Sequence, residues 1–218
     1  MSHYKKYKFD GDRYNFYELM SSLFRRADLS TVHETLGDLE LFTMSNNSNT
    51  KCHDLFYSKL KEGWPEFEEV YESFISEFVR PLLTEDFVYQ RWPTLRVHVP
   101  RNWATPDFHR DSQEGYDHPL GEKNFILPFT KCYDTNTVWT ESQPDKADFK
   151  PIEMQWGDLI TFNGNICRHG NKINETSITR VTYDFRVLPL SDYHPGQNKA
   201  SGTKGTKFEV GHYYKKLK

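Results

Sequence analysis

Between Ile178 and Leu188 the chain alternates with a period of two. Val181, Tyr183, Phe185 and Val187 are apolar, whereas Arg180, Thr182, Asp184 and Arg186 are polar or charged. Successive side chains of a strand point to opposite faces, so this run reads as a strand with one apolar and one strongly polar face. Two arginines turned into a sheet's interior are costly unless polar neighbours or a ligand satisfy them. The pattern therefore predicts a sheet whose apolar face meets helices while its polar face lines a wet interior. Arg96 and His98 oppose Leu95, Val97 and Val99 in the same way, and Asn124 and Ile126 oppose Phe125, Leu127 and Phe129.

The period changes along the chain. Before about Val88 it is helical: Phe16, Leu19, Leu23 and Phe24 fall on one stripe between Tyr14 and Arg26, and Phe67, Val70, Tyr71, Phe74, Ile75 and Phe78 on another between Pro65 and Arg80. Pro65 suits a first helical turn and Pro81 a stop. Beyond Val88 the runs are short and separated by turn residues, giving strands at Leu95–Val99, Asn124–Thr130, Thr137–Glu141, Ile152–Trp156, Asp158–Phe162, Ile178–Leu188 and Lys207–Tyr213. The expected fold is mainly β with α: an antiparallel double-stranded β-helix, a cupin-like jelly roll, with N-terminal helices packed on one sheet. We expect a single domain, made of a mainly helical part over residues 1–87 and a jelly-roll core over 88–218. The polar stretch 43–50 and the Gly-, Lys- and Ser-rich stretch 191–206 read as loops, either of which would suit a lid.

With 218 residues the chain can bury one sizeable core. Aromatic residues make up 16 % of it while mean hydropathy is −0.80, so the core must be built from large rings set among polar positions. A net charge of −3 lacks the basic footprint of a nucleic-acid binder, and no run is long enough to span a bilayer. Cys52, Cys132 and Cys167 are sparse and odd in number, and the N-terminus lacks an apolar signal core, which points to a reducing cytoplasm. Small molecules are the expected partners, and the oligomeric state is open.

His109 and Asp111 follow the Leu95–Val99 strand, His169 stands beyond the Asp158–Phe162 strand, and Arg180 lies one short segment further. Two imidazoles and one carboxylate on one face of Fe(II) leave positions for a bidentate oxo acid and for dioxygen. A guanidinium on the next strand would suit the distal carboxylate of 2-oxoglutarate. A lone His-x-Asp is common by chance among nine histidines; the ordered set of four is what points to a site. Cys167 reads as a small buried thiol rather than a ligand, and His118-Pro119 explains Asp117 and His118 as a turn. Arg186 competes with Arg180 for the oxo acid but lies further along the strand, and Asp184 offers Arg180 a structural ion pair instead.

The segments His109-Arg-Asp-Ser112, Gly121-Glu-Lys-Asn-Phe-Ile-Leu-Pro-Phe-Thr130, Trp139-Thr-Glu-Ser142, Gly157-Asp-Leu159, His169-Gly-Asn171 and Thr179-Arg-Val-Thr182 together resemble the Fe(II)- and 2-oxoglutarate-dependent dioxygenases. Within these the chain is similar to the small bacterial enzymes of the streptomycin-biosynthesis type, relatives of the phytanoyl-CoA hydroxylase branch. The resemblance covers about Leu95 to Tyr214. It implies Fe(II) on His109, Asp111 and His169, and 2-oxoglutarate on Arg180, with Thr182 as an accessory hydroxyl and Asn124 reaching the oxo acid. It also implies dioxygen as cosubstrate, with succinate and CO2 as coproducts. Halogenases resembling this group replace the carboxylate by a small residue; Asp111 is retained, so hydroxylation of a C–H bond in a small polar metabolite is the expected outcome.

Arg96, His98, Trp139 and Glu141 are the candidates for a substrate wall. Nearby acids and arginines leave the charge of the substrate open. Three other readings also stay open: a cupin-type metal enzyme that uses no 2-oxoglutarate, a protein side-chain hydroxylase, and a non-catalytic binding barrel.

Overall fold

The structure is a computed structural model describing residues 2–35, 50–103, 107–196 and 205–217. Ten strands are seen among them: β1 (Lys5–Lys8), β2 (Phe87–Gln90), β3 (Thr94–His98), β4 (Lys123–Pro128), β5 (Val138–Thr140), β6 (Lys150–Pro151), β7 (Asp158–Phe162), β8 (His169–Asn171), β9 (Arg180–Pro189) and β10 (Tyr214–Lys216). Seven form one antiparallel sheet in the order β1-β7-β4-β9-β2-β10, with β3 also on β9, and β6-β5-β8 form a second. β9 is the spine of the larger sheet. Its first half pairs with β3 (His98 opposite Arg180) and its end with β2 (Phe87 opposite Pro189), while β4 runs along the other side. Edge strand β1 carries Lys5, Lys6 and Lys8, charges that discourage pairing with another chain.

The alternation predicted for β9 holds. Val181, Tyr183, Phe185 and Val187 join the main core together with Leu95, Val97, Phe125 and Leu127. Helices α1 (Phe16–Phe24), α2 (Lys51–Glu62) and α3 (Pro65–Ser73) cover this face. Rings of Phe16, Phe56 and Phe67 surround Tyr183, with centroids 6.2, 5.3 and 5.7 Å from it. A smaller cluster of Ile126, Val138, Ile152, Met154, Ile160 and Phe162, with Cys132, fills the space on the opposite face. All three cysteines are buried and free.

Several boundaries differ from the sequence reading. The first helix stops at Phe24, where Arg25 turns left-handed (φ 52°) and its N–H caps carbonyls of the last turn. The stripe from Pro65 does not stay α-helical: after Ser73 it widens into a π-helical turn, Phe74–Val79, which keeps Phe74, Ile75 and Val79 buried, and closes as a 3-10 turn at Arg80–Leu82. Ile152–Trp156 is not a strand; Met154 makes an isolated bridge to Cys132, and the chain then turns at Gly157 (φ 86°). The last strand is Tyr214–Lys216 rather than Lys207–Tyr213. Helix α2 was not foreseen, although Cys52, Phe56 and Leu60 share its buried stripe. Of the two suggested lids, residues 43–49 and 197–204 lie outside the described residues. No helix among the described residues is long and apolar enough to cross a membrane.

Candidate metal centre

Backbone pairing brings the two histidines together. His109 and His169 form an antiparallel bridge, each N–H donating to the other's carbonyl at 2.9 Å, although one follows β3 and the other opens β8. Asp111 is fixed two residues on, where its N–H donates to Gly164 O at 3.0 Å. Both imidazole Nε2 atoms stand 3.6 Å from Asp111 Oδ1, and one donor atom from each residue lies within 4.8 Å of the others. This is the cluster able to hold a metal ion found among the described residues, and all three side chains are buried.

Protonation suits a cation. Each Nδ1 faces a backbone carbonyl, Asp107 O at 2.9 Å for His109 and Cys167 O at 3.3 Å for His169, so the N–H sits there and Nε2 keeps its lone pair. Burial lowers the pKa of His169 to about 4, against the pull of Asp111, so its ring is neutral near pH 7. Burial opposes ionisation of Asp111 too, but the Arg186 guanidinium beside it holds its carboxyl well below the usual carboxylate range. Two imidazole nitrogens and one carboxylate oxygen converging at this spacing fit a divalent first-row metal with positions to spare.

Gly164 makes room for the cluster. A Cβ there would come within 3.0 Å of His169 Cε1 and 3.1 Å of Asn124 Cγ.

The cluster opens on a cavity of about 40 Å³ lined also by Arg96, Asn124, Val138, Asn171, Arg180, Asp184 and Arg186. Arg180 is only 2 % exposed; its Nη1 donates to Asn171 Oδ1 at 2.7 Å, and its Nε is buried without a partner. Among the described residues no carboxylate lies within ion-pair distance of it. The acid suggested for it, Asp184, pairs instead with Arg96 at 2.8 Å. A buried guanidinium without a counter-charge is costly, and burial lowers its pKa accordingly. An anion reaching from the metal position to Arg180 would remove that cost. The cavity is narrow for a five-carbon diacid, so entry requires side chains at its mouth to move. A wider groove of about 600 Å³ lies elsewhere, between Ser2–Tyr7, Leu82–Leu83 and Asn163–Cys167, and contains none of the three metal-ligating residues.

Asn124 lines the cavity, but its Nδ2 is committed to Asp111 Oδ2 at 2.6 Å. Thr182 is buried beside Asp184 (3.4 Å) and does not line the cavity. Of the four wall candidates, only Arg96 does. His98 lies at the far end of β3 with its Nε2 donating to Asn102 O at 2.7 Å. Trp139 is half-buried, donates to Asp134 O and carries Lys172 over its ring; its neighbour Val138 is the β5 residue that faces the cavity, so the inward face is one register off the expected one. Glu141 is 1 % exposed. Burial would keep it protonated, but backbone N–H donors from Arg168, Ala147 and Asp145 overcome this and lower its pKa. Its carboxylate braces a loop. Tyr116, not anticipated from the sequence, stacks on His109 at 4.1 Å with planes 8° apart.

No family model matches the chain. The streptomycin biosynthesis protein StrG of Streptomyces griseus is 33 % identical over 198 residues, covering 86 % of this chain and 90 % of the relative. Among solved structures, CytC3 with Fe(II) and alpha-ketoglutarate aligns over 97 % of this chain and 83 % of its own, at 15 % identity and a TM-score of 0.55. AviO1 from Streptomyces viridochromogenes Tue57 aligns over 88 % and 92 %, at 14 % identity and a TM-score of 0.47. The chain thus belongs to the family of the streptomycin biosynthesis protein StrG and shares the fold of CytC3.

Proposed function

We propose that this protein is an Fe(II)- and 2-oxoglutarate-dependent dioxygenase that hydroxylates a C–H bond of a small polar metabolite, on a scaffold whose two sheets act as a jelly roll. One observation carries the reading: a buried His-Asp-His cluster and a buried guanidinium with no carboxylate partner among the described residues line the same cavity. A cupin-type metal enzyme indifferent to oxo acids would leave Arg180 unexplained. Kinship with a streptomycin biosynthesis protein supports a free biosynthetic intermediate as substrate.

His109, Asp111 and His169 would hold the iron, and Arg180, oriented by Asn171, would bind the distal carboxylate of the oxo acid. Bound together, iron and 2-oxoglutarate supply dioxygen activation coupled to decarboxylation, so that one oxygen atom enters succinate and the other the substrate C–H bond, with release of CO2. The chain's own contribution is positioning. The strand pairing of His109 with His169 holds the imidazoles together, and β9 holds the guanidinium of Arg180 at its first residue. Ile126, Val138 and Phe162 on the cavity wall exclude water from the oxidising centre.

Anaerobic titration with Fe(II) and 2-oxoglutarate is expected to produce a weak visible charge-transfer band, and aerobic turnover to release succinate. Arg180→Ala should raise the 2-oxoglutarate dissociation constant by about 30-fold or more, the size expected when a buried charge partner is removed. Unchanged affinity would refute the assignment of Arg180.

A further inference from the structure

The carboxylate of Asp111 is held asymmetrically. Its Oδ2 accepts N–H bonds from Asn124 Nδ2 at 2.6 Å and Arg186 Nε at 2.9 Å, and Arg186 Nη2 lies in ion-pair contact at 2.9 Å. Among the described residues its Oδ1 faces the two imidazole Nε2 atoms, each at 3.6 Å. The two residues that grip Oδ2 are cross-strand partners, Asn124 on β4 opposite Arg186 on β9, so one register sets both. Arg186 is in turn fixed from behind. Glu122, 2 % exposed, places Oε2 3.7 Å from its Nε, and Tyr213 accepts from its Nη1 at 3.4 Å. Glu122 is itself bonded by His118 Nδ1 at 2.7 Å and by the Tyr214 hydroxyl, while Tyr213 donates to Gln90 Oε1 at 2.9 Å.

A permanent positive charge beside a cation site weakens cation binding on Coulomb grounds alone. A guanidinium kept there must supply something that outweighs this. Resting on the reading that the cluster binds a divalent metal, we propose that Arg186, backed by Glu122 and Tyr213, is a positioning residue that restricts Asp111 to ligation through Oδ1 alone. A carboxylate free to rotate can chelate through both oxygens and take a second coordination position. Six positions accommodate two imidazoles, one carboxylate oxygen, a two-point oxo acid and dioxygen only if Asp111 takes one. Arg186 would thus keep a position open, and the last strand, through Tyr213 and Tyr214, would be part of the metal centre's support.

Co(II) is the probe, because its visible d–d bands report coordination and need no turnover. Wild type should bind Co(II) with a defined spectrum; if it does not, the metal reading itself fails, and the positioning role with it. Arg186→Met should weaken Co(II) binding about tenfold or more and change band positions or intensity. Loss of charge alone predicts the opposite, tighter binding. Glu122→Gln keeps volume and most hydrogen bonding and should weaken Co(II) binding severalfold with the same direction of spectral change, which gives an independent arm if Arg186→Met does not fold. Arg180→Met, which removes a cavity guanidinium that does not touch Asp111, should leave the Co(II) spectrum as in wild type. Equal or tighter Co(II) binding with a wild-type spectrum in both Arg186→Met and Glu122→Gln would overturn the proposal while leaving the metal site intact.

Discussion

His98 shows how one side chain serves the cavity without entering it. It sits at the end of β3 opposite Arg180, 1 % exposed, with Nε2–H donated to Asn102 O. Burial and the neighbouring guanidinium push its pKa down from 6.5 to about 3. The unfolded chain protonates His98 near its ordinary pKa, whereas the folded chain resists until far lower pH. Between these limits the unfolded state binds more protons, so stability falls as pH drops below about 6.5, by roughly 1.4 kcal/mol per pH unit from this one group. Above that pH His98 contributes no slope. His98→Gln keeps an N–H for Asn102 and cannot titrate. Urea unfolding of metal-free protein at about pH 7 and about pH 5.5 should show the variant losing roughly 1.4 kcal/mol less than wild type over that interval. Equal losses would mean that the imidazole is not held neutral.

At the scale of elements, β9 does two jobs: its outer face packs on helices and its inner face carries Arg180 and Arg186. Phe67 of α3 is fully buried, with its ring 5.7 Å from that of Tyr183 on the outer face. Phe67→Ala should lower stability by about 3–5 kcal/mol. Because β9 is hydrogen-bonded on both sides, the defect should stay on the helical face, leaving 2-oxoglutarate affinity within about threefold of wild type below the melting transition. A larger change would show that strand pairing does not insulate the cavity. This double role is also why so much was legible in the sequence. Period-two alternation identified both faces of β9 and β3, and the spacing of His109, Asp111, His169 and Arg180 marked residues that the structure gathers around one cavity. What stayed hidden depended on packing between distant segments. The three-residue strand β5 is too short for its pattern to choose a face, so the sequence points to Trp139 where Val138 lines the cavity. The role of Arg186 is invisible in the sequence, because nothing local reveals that Asp111 and Glu122 meet it.

For the molecule as a whole, charge around the cavity is balanced before any ligand arrives. Arg96, Arg180 and Arg186 face Asp111 and Asp184, with Glu122 behind Arg186. A dication alone would leave the interior with excess positive charge, and a dianion alone would leave it negative. Both together restore neutrality, so each should raise the other's affinity, and by linkage the two factors must be equal. The coupling expected is about 1–3 kcal/mol, or roughly 5–150-fold. Mn(II) binding followed by electron paramagnetic resonance should therefore tighten by about tenfold or more when 2-oxoglutarate is present. Glutarate carries the same two charges but lacks the keto oxygen, so it separates the electrostatic share from chelation: it should reach Arg180 and retain only part of the coupling. With both ligands at about 100 times their dissociation constants, each contributes about 2.7 kcal/mol to stability, and the melting temperature should rise by roughly 10–20 °C. Asp111→Ala removes a ligand and tips the cavity positive, so it should abolish the Mn(II)-dependent part of that rise while leaving binding of the oxo acid at Arg180 measurable. If Mn(II) and 2-oxoglutarate instead bind wild type independently, neutralisation of the interior is not what drives assembly of the site.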